Sequence, residues 1–305
     1  MRDEEAVGRP FLKWAGGKSQ LLDAFVHCYP EELWSGGIVR YVEPFVGSGA
    51  VMFDIVQRFA PEQVVINDQN PRLMQVYRVI QTAVEDLIAE LSIFQERYWA
   101  AAHEARATMY YAVRDAFNQH DGTDIHHAAQ FIFLNRTCFN GLYRVNSRSA
   151  FNVPMGRYRK PMICDATNLR RAHTILEGVT ILTGDYHQVA DYAGPKTFVY
   201  IDPPYRPLSA TASFTAYSGS FNDDDQRRLA SFARKLGEKG ARVMLSNSDS
   251  RHRNPEDDFF DALYHDFVLT RVPARRSINS RSDRRGPVDE LVITSYSLAP
   301  IKLRT

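Results

Sequence analysis

The sequence is poor in cysteine and contains no long apolar run. Its 305 residues include three scattered cysteines, Cys28, Cys138 and Cys164, which form no CxxC pair and no even-numbered framework. We therefore expect no disulfides and a reducing cytoplasm as the compartment. The absence of eighteen consecutive apolar residues argues against a membrane span. The acidic N-terminus MRDEEAVGRP lacks the apolar core of a signal peptide.

Strong compositional bias is absent as well. Hydrophobic residues make up 44% and charged residues 24%, which excludes the disordered, collagen-like and low-complexity classes. The net charge is only +1, but it is unevenly distributed. Residues 134–171 contain eight Lys or Arg and one acid, and residues 271–285 contain six Arg and one acid. Such segments are typical of a polyanion-binding surface, and a solvated charged face explains them equally well.

Strand-like and helix-like segments alternate along the chain. Helices are expected from 50 to 59, from 71 onward and from 223 to 239. This alternation predicts an α/β fold with a mostly parallel sheet covered on both faces. The predicted strands cover 38–43, 64–68, 180–182, 197–201 and 242–246, and a terminal hairpin pairs 265–272 with 288–297.

The stretch between the second and third strands is too long for a simple crossover. Residues 69–179 number 111, whereas a crossover needs only one helix. We therefore predict an inserted module. Its pattern indicates helices at 86–118 and 125–136, and a hairpin or ordered loop at 140–160, which is rich in Gly, Asn, Ser, Pro and Arg.

A glycine-rich turn follows the first predicted strand. Gly47 and Gly49 let the backbone turn sharply and approach a ligand closely, but Met52 stands where a dinucleotide fingerprint needs its third glycine. Asp68 ends the second strand, where an acid can accept hydrogen bonds from ribose hydroxyls. Together these residues favour a nucleoside-containing ligand, and they leave NAD and S-adenosylmethionine both open.

A second glycine-rich turn lies near the N-terminus. Gly16-Gly17-Lys18-Ser19 is similar to the end of a phosphate-binding P-loop, but Leu12 stands where that motif needs glycine and no strand precedes it. We reject that interpretation. Lys18 beside the start of a helix near Gln20 still predicts binding of an anion such as a carboxylate.

The tetrapeptide Asp202-Pro203-Pro204-Tyr205 is the most specific feature. It follows the apolar strand 197–201, and its two prolines stiffen the turn and remove two N–H donors. Carboxylate and carbonyl oxygens beside an aromatic ring suit an exocyclic amine on a flat heterocycle. A chance loop with this composition directly after a strand is improbable, so we expect a catalytic role.

Several further motifs occur with this tetrapeptide in a fixed order. The chain resembles the Dam-type DNA adenine-N6 methyltransferases, the D12 or alpha class, from Pro10 to about Tyr296. One departure is Tyr186, where the family commonly has Phe, and either ring can stack. The motifs are FLKWAGGK (11–18), EPFVGSG (43–49), IND (66–68), NRTCFNGLYR (135–144), FNVPMGRY (151–158), GDY (184–186) and DPPY (202–205).

The resemblance implies a Rossmann-like class I fold that binds S-adenosylmethionine. Residues 1–74 and 164–305 would form the catalytic domain, and residues 75–163 an inserted, mainly helical target-recognition domain with a hairpin at 140–160. Lys18 would sit near the methionine carboxylate, Asp68 at the ribose and Asp185 at the adenine amine. The implied catalytic residues are Asp202, Pro203, Pro204 and Tyr205. The implied cofactor-binding residues are Trp14, Ala15, Gly16, Lys18, Phe45, Gly47, Ser48, Gly49, Asp68, Asp185, Tyr186 and Asp202.

The same resemblance implies a double-stranded DNA partner and base flipping. Arg144 suits guanine readout, whereas Arg136, Arg157 and Arg159 suit phosphate contacts. The hairpin resembles that of enzymes that methylate GATC, although related enzymes read longer sites that contain GAT. The implied DNA-binding residues are Lys13, Arg136, Phe139, Asn140, Leu142, Arg144, Pro154, Arg157 and Tyr158.

Three other functions can be compared with the same motifs. A nucleotide-dependent oxidoreductase would explain the GxG turn and Asp68, but neither the tetrapeptide nor the basic insertion. A non-catalytic DNA-binding protein conflicts with the intact tetrapeptide. Cytosine-N4 methylases more often carry Ser in place of Asp202. We expect no metal, no membrane, a cytoplasmic bacterial or phage-encoded enzyme, and a cognate restriction endonuclease as a functional partner at most.

Overall fold

The computed structural model describes residues 7–120, 122–206, 221–252, 254–274 and 288–298. The chain divides into two compact units. The first comprises Met1–Gly17, Gly47–Gln57 and Asp68–Gly184. The second comprises Lys18–Val46, Arg58–Asn67 and Asp185–Thr305. Of the basic segment at 271–285, residues 275–285 lie outside the described part of the chain.

Seven strands are described, and six of them form a sheet within the second unit. The strands are β1 (Arg40–Glu43), β2 (Gln63–Ile66), β3 (Thr180–Ile181), β4 (Thr197–Ile201), β5 (Arg242–Ser248), β6 (Val268–Ala274) and β7 (Val288–Thr294). The sheet of the second unit runs in the order β2-β1-β4-β5-β7-β6. Pairing is parallel from β2 to β5, and β7 pairs antiparallel with both β5 and β6. The mixed α/β architecture with a mostly parallel sheet is therefore confirmed.

The central strands form because their side chains suit a sheet covered on both faces. Every residue of β4, Thr-Phe-Val-Tyr-Ile, is buried. Such β-branched and aromatic side chains pack well on a pleated surface. Val199 aligns with Val42 of β1 and Val243 of β5, which fixes the register. Because β1 and β4 are parallel neighbours, Glu43 at the end of β1 and Asp202 directly after β4 lie at the same edge of the sheet.

Ten α-helices accompany the strands in the described part of the chain. They are α1 (Leu22–Phe25), α2 (Glu31–Trp34), α3 (Ala50–Phe59), α4 (Pro71–Thr82), α5 (Val84–Ala100), α6 (His103–Gln119), α7 (Asp124–Thr137), α8 (Ala166–Leu176), α9 (Asp223–Glu238) and α10 (Phe259–Leu263). The predicted helices at 50–59, from 71 and at 223–239 are confirmed.

The first unit is built around α7. Nearly every residue of this helix from His127 to Thr137 is buried, and α4, α5 and α6 pack against it. A helix that is buried on nearly all sides lies at the centre of a helical domain. The amide of Asn70 caps α4 by accepting from the backbone N–H groups of Arg72 and Leu73, with Pro71 in the first turn.

The helical stretch predicted at 86–118 is found, divided into α5 and α6. Ala101 and Ala102 are extended and separate α5 from α6. The side chain of Arg106, in α6, donates to the carbonyl oxygens of Tyr98 and Trp99 at the end of α5. These bonds satisfy carbonyl groups that a helix end leaves unpaired, so the break is stabilised by a contact between helices.

Candidate active site and DNA-reading loop

The second unit brings the predicted catalytic residues together directly after β4. The Lys18 ammonium lies 2.7 Å from each carboxylate oxygen of Asp202. The hydroxyl of Ser246, on β5, donates to Asp202 Oδ1 over 3.2 Å. Burial raises the pKa of Asp202, while the positive charge of Lys18 opposes that effect. Asp202 is therefore fixed in place beside a buried cation.

The turn after Asp202 is held by its neighbours. The side-chain amide of Gln226, on α9, donates to the Pro204 carbonyl oxygen over 3.2 Å. Tyr205 places its ring 4.7 Å from Lys18 Nζ and donates its hydroxyl to Glu290, on β7. Both prolines lack an N–H, so no backbone donor of theirs competes with an incoming amine.

Sequence reasoning missed Glu290. It is buried, at 7% exposure, and its Oε1 lies 3.7 Å from Lys18 Nζ. Burial raises its pKa to about 7, against the lowering effect of Lys18. The sequence did carry an indication, because Glu290 lies in a predicted strand directly before Leu291, Val292 and Ile293, which are fully buried.

A group of aromatic rings accompanies Asp185 in the second unit. Phe45 and Tyr186 have ring centroids 5.2 Å apart, and Tyr186 also contacts Phe232. Asp185 is exposed, and both hydrogen bonds from His187, from its backbone N–H and its ring Nδ1, fall on Oδ1. An acceptor beside flat rings has the chemistry that an adenine ring with its amine requires.

The first unit contains the other predicted cofactor residues. The Asp68 carboxylate accepts from the backbone N–H groups of Gly47, over 3.1 Å, and Asn70, over 2.9 Å. Burial raises the pKa of Asp68 to about 6, although these two bonds lower it. A Cβ on Gly47 would stand 2.9 Å from Trp14 Nε1, so only glycine fits there. Ala15 and Gly16 are exposed, whereas Ser48 and Gly49 are buried.

The hairpin or ordered loop predicted at 140–160 is found in the first unit. Antiparallel bridges join Cys138 to Met155 and Val145 to Phe151. Asn118 holds the far end of the loop, because its side-chain oxygen accepts from Phe151 N and its side-chain nitrogen donates to Phe151 O. The loop is therefore ordered by hydrogen bonds to the helical module.

The side chain of Asn135 links this loop to the N-terminal motif. It accepts from Lys13 N over 2.9 Å and donates to the carbonyl oxygens of Lys13 and Gly141. Lys13 Nζ lies 4.2 Å from the centre of the Tyr158 ring. Two predicted DNA-binding residues from opposite ends of this unit's sequence thus lie together.

The remaining predicted DNA-binding residues differ in accessibility. The Phe139 side chain is 50% exposed. Arg144 is exposed and donates from Nε to the side-chain oxygen of Asn152 over 2.8 Å. Arg136 instead donates to the Phe11 carbonyl oxygen over 2.8 Å, and burial lowers its pKa. Asn140, Pro154 and Arg157 are exposed, and Leu142 is half-buried.

Comparison with known proteins identifies the family. Residues 14–278 match the family of D12 class N6 adenine-specific DNA methyltransferases. The chain belongs to this family. It is thus an adenine-specific DNA methyltransferase, its substrate is DNA, and its reaction requires a methyl donor. Within the described residues, no helix is long and apolar enough to cross a membrane, and no group of three potential ligands could hold a metal ion.

The relatives agree with this assignment. A type II methyltransferase, M.MjaIII of Methanocaldococcus jannaschii, is 47% identical over 94% of this chain and 99% of its own. The type II methyltransferase M1.LlaDCHI of Lactococcus lactis is 36% identical over 94% of this chain and 95% of its own. A DNA adenine methylase of Vibrio cholerae is 35% identical over 93% and 95%, respectively.

Proposed function

We propose that this enzyme transfers a methyl group from S-adenosylmethionine to N6 of an adenine that is flipped out of duplex DNA. The observation that supports this most strongly is the cluster after β4, where Lys18 and Ser246 fix the Asp202 carboxylate and Glu290 holds Tyr205. An exposed adenine amine carries two N–H bonds, and a carboxylate beside a backbone carbonyl can accept both.

The donor fits the residues that are present. Its adenine would lie among Phe45, Tyr186 and Asp185, because these offer ring faces and an amine acceptor. Asp68 would accept from the ribose hydroxyls, since each carboxylate oxygen can accept a further bond. When bound, S-adenosylmethionine supplies an electrophilic methyl group on a sulfonium centre. Around it we also place Trp14, Ala15, Gly16, Lys18, Gly47, Ser48 and Gly49.

The chain's own residues would then orient the target. Tyr205 stacks on the flipped base, and Asp202 and the Pro203 carbonyl accept the two amine N–H bonds. The nitrogen lone pair is thereby directed at the methyl carbon. Methyl transfer would form the N–C bond as the C–S bond breaks, and the demethylated thioether would be the leaving group. The nitrogen would then carry positive charge and lose one proton, which the Asp202 carboxylate, held by Lys18 and Ser246, could accept.

Target recognition is assigned to residues 75–163 with Lys13, and catalysis to residues 1–74 and 164–305. Phe139 would act as a wedge between base steps, and Arg144 would read a guanine edge. Arg136 and Arg157 would contact phosphates. Asn140, Leu142, Pro154 and Tyr158 complete the DNA surface, and the hairpin favours GATC as the site. Two relatives are type II methyltransferases, which favours a restriction-modification setting. We place the enzyme in the cytoplasm.

Methyl transfer to a matched pair of duplexes tests this proposal. One duplex carries a single GATC, and the control carries GTAC in the same flanks. We expect label from methyl-labelled S-adenosylmethionine in N6-methyldeoxyadenosine, and only with the GATC duplex. Equal labelling of both duplexes would overturn the GATC assignment. The proposed reaction would be overturned by an absence of labelled deoxyadenosine in any unmethylated DNA.

A further inference from the structure

Glu290 lies in the described active-site cluster, and the reaction as proposed above gives it no contact with the base or the donor. It sits on β7, opposite Ser248 of β5, and is buried. Its Oε1 accepts the hydroxyl hydrogen of Tyr205. The same oxygen lies 3.7 Å from Lys18 Nζ, which is itself bound to Asp202. Glu290 therefore touches both the ring that would carry the base and the cation beside the catalytic carboxylate.

The fold alone gains little from an acid at this position. Taking a carboxylate out of water is unfavourable, and apolar groups of similar size commonly stabilise a protein as well or better. The next three residues of β7 are apolar and fully buried. A leucine would continue that pattern, so the reason for glutamate lies in what it contacts.

The contact with Tyr205 constrains a ring whose plane matters. A tyrosine side chain has two rotatable angles. A hydrogen bond at its hydroxyl fixes the first angle, which places the ring, and it favours one value of the second because the phenolic O–H lies in the ring plane. A stacked base is positioned by the plane of the ring beneath it. Because Tyr205 and Asp202 belong to one turn, and Lys18 contacts Asp202 and lies over the ring, a tilt of the ring would also disturb the acceptor of the amine.

We propose that Glu290 is a positioning residue that fixes the ring of Tyr205 for stacking on the target adenine and shares Lys18 with Asp202. This inference rests on the proposed function, in which Tyr205 carries the flipped base. Glu290 touches neither the base nor the donor. It acts through its hydrogen bond with the Tyr205 hydroxyl. Substitution of either residue removes this bond, so its effect on the rate can be measured from both sides.

A double-mutant cycle tests the inference. The variants are Glu290→Leu, Glu290→Gln, Tyr205→Phe and the combination of Glu290→Leu with Tyr205→Phe. We expect Glu290→Leu to lower kcat by roughly tenfold or more with a smaller change in KM for DNA, because alignment is lost rather than DNA contact. Glu290→Gln keeps an acceptor for the hydroxyl and should recover most of that loss. The combined variant should be no slower than the slower single variant, because both remove one bond.

A fluorescent base reports the positioning itself. With 2-aminopurine at the target position, we expect the Leu variant to bind duplex normally but to quench or restrain the flipped base less than wild type. Tyr296→Phe is the matched control: it removes another buried tyrosine hydrogen bond, to the Cys28 carbonyl oxygen, and should turn over like wild type.

The outcomes separate this inference from the function on which it rests. If wild type methylates no adenine, the proposed function fails before any variant is compared. If wild type is active and Glu290→Leu matches it, only the positioning role is overturned. Losses that multiply in the combined variant, or a Gln variant as slow as the Leu variant, also overturn it. Thermal unfolding of each variant identifies any that fail to fold, and the Gln variant, nearly identical in shape, keeps the comparison available.

Discussion

At the scale of single residues, Lys18 shows how a motif can be understood chemically before its partner is known. The glycine-rich turn predicts that Lys18 binds a carboxylate. In the structure its ammonium lies 2.7 Å from both oxygens of Asp202, a carboxylate of the chain itself. The predicted contact with the carboxylate of the donor stays a prediction. Sequence could not select Asp202, because the pairing joins positions 184 residues apart.

Removing the Asp202 carboxylate tests the catalytic assignment. Asp202→Ala should lower the rate of methyl transfer by ~100-fold or more, because the amine loses an aligned acceptor. Duplex affinity should stay close to wild type, since Asp202 is not a phosphate contact. Single-turnover methylation and gel-shift titration measure the two effects. A variant that retains near wild-type turnover at saturating donor would remove Asp202 from the mechanism.

Arg144 and Arg157 form a matched pair for base readout against phosphate contact. Both are exposed, whereas loss of Arg136 would also leave the Phe11 carbonyl without its donor. Arg144→Ala should cost about 1–3 kcal/mol of discrimination at one base pair. Arg157→Ala should weaken binding to every sequence and reduce the salt dependence by about one phosphate. Titrations of cognate and permuted duplexes at several salt concentrations distinguish the two. Equal effects on both duplexes for Arg144→Ala would exclude base reading.

At the scale of elements, the sequence predicted the strands and helices whose formation depends on neighbouring residues. β4, α9, the Pro71 start of α4 and the β6–β7 pairing were all predicted, because apolar runs, caps and turns encode them. The break at Ala101–Ala102 was not, because the contacts of Arg106 that stabilise it come from the next helix. Glu290 was missed because its contacts are with Tyr205 and Lys18, which are both far from it in the sequence.

The loop at 140–160, which we propose binds DNA, depends on the backbone conformation of Gly141. This residue has φ +63°, and a Cβ there would stand 2.5 Å from the Lys13 Cβ. Gly141→Ala should therefore move Lys13 or the loop and destabilise the protein by about 1–3 kcal/mol. It should also reduce cognate affinity more than non-specific affinity. Gly178→Ala is the control, because its φ is also positive but no atom lies within 4 Å of the added Cβ. Equal duplex discrimination by both variants would contradict the role of the loop.

At the scale of the whole molecule, the near-neutral net charge hides an uneven distribution of basic residues between the two units. The basic stretch 134–171 lies entirely in the first unit, where Arg144, Arg148, Arg157, Arg159 and Lys160 are exposed. The DPPY cluster lies in the second unit. Composition could predict a polyanion-binding surface but not its position relative to the catalytic residues, because burial and pairing of each charge depend on the fold.

The buried Asp68 makes stability depend on pH. Its folded pKa of about 6 lies above the ordinary 3.8, so the folded state retains a proton that the unfolded chain has released. This contribution is full below pH 3.8 and is lost as the pH rises through about 6. It amounts to about 3 kcal/mol at most, from 1.36 kcal/mol per pKa unit.

Denaturant unfolding of wild type and Asp68→Asn between about pH 4 and pH 7 measures this effect. The advantage of wild type over the variant should shrink as the pH rises. Asp185→Asn is the control with the opposite sign: burial raises the pKa of Asp185, but its bonds from His187 lower it overall. There, the advantage of wild type should be lost as the pH falls. A pH-independent difference for Asp68→Asn would contradict its raised pKa.

The central claim is that the Asp202 cluster methylates adenine N6 at a defined site in duplex DNA. Its most direct test is to map modified bases in plasmid DNA from otherwise methylation-free cells that express either wild type or Asp202→Ala. The proposed function predicts N6-methyladenine in GATC with wild type and unmodified DNA with the variant. Modification at cytosine, or equal modification with both proteins, would contradict it.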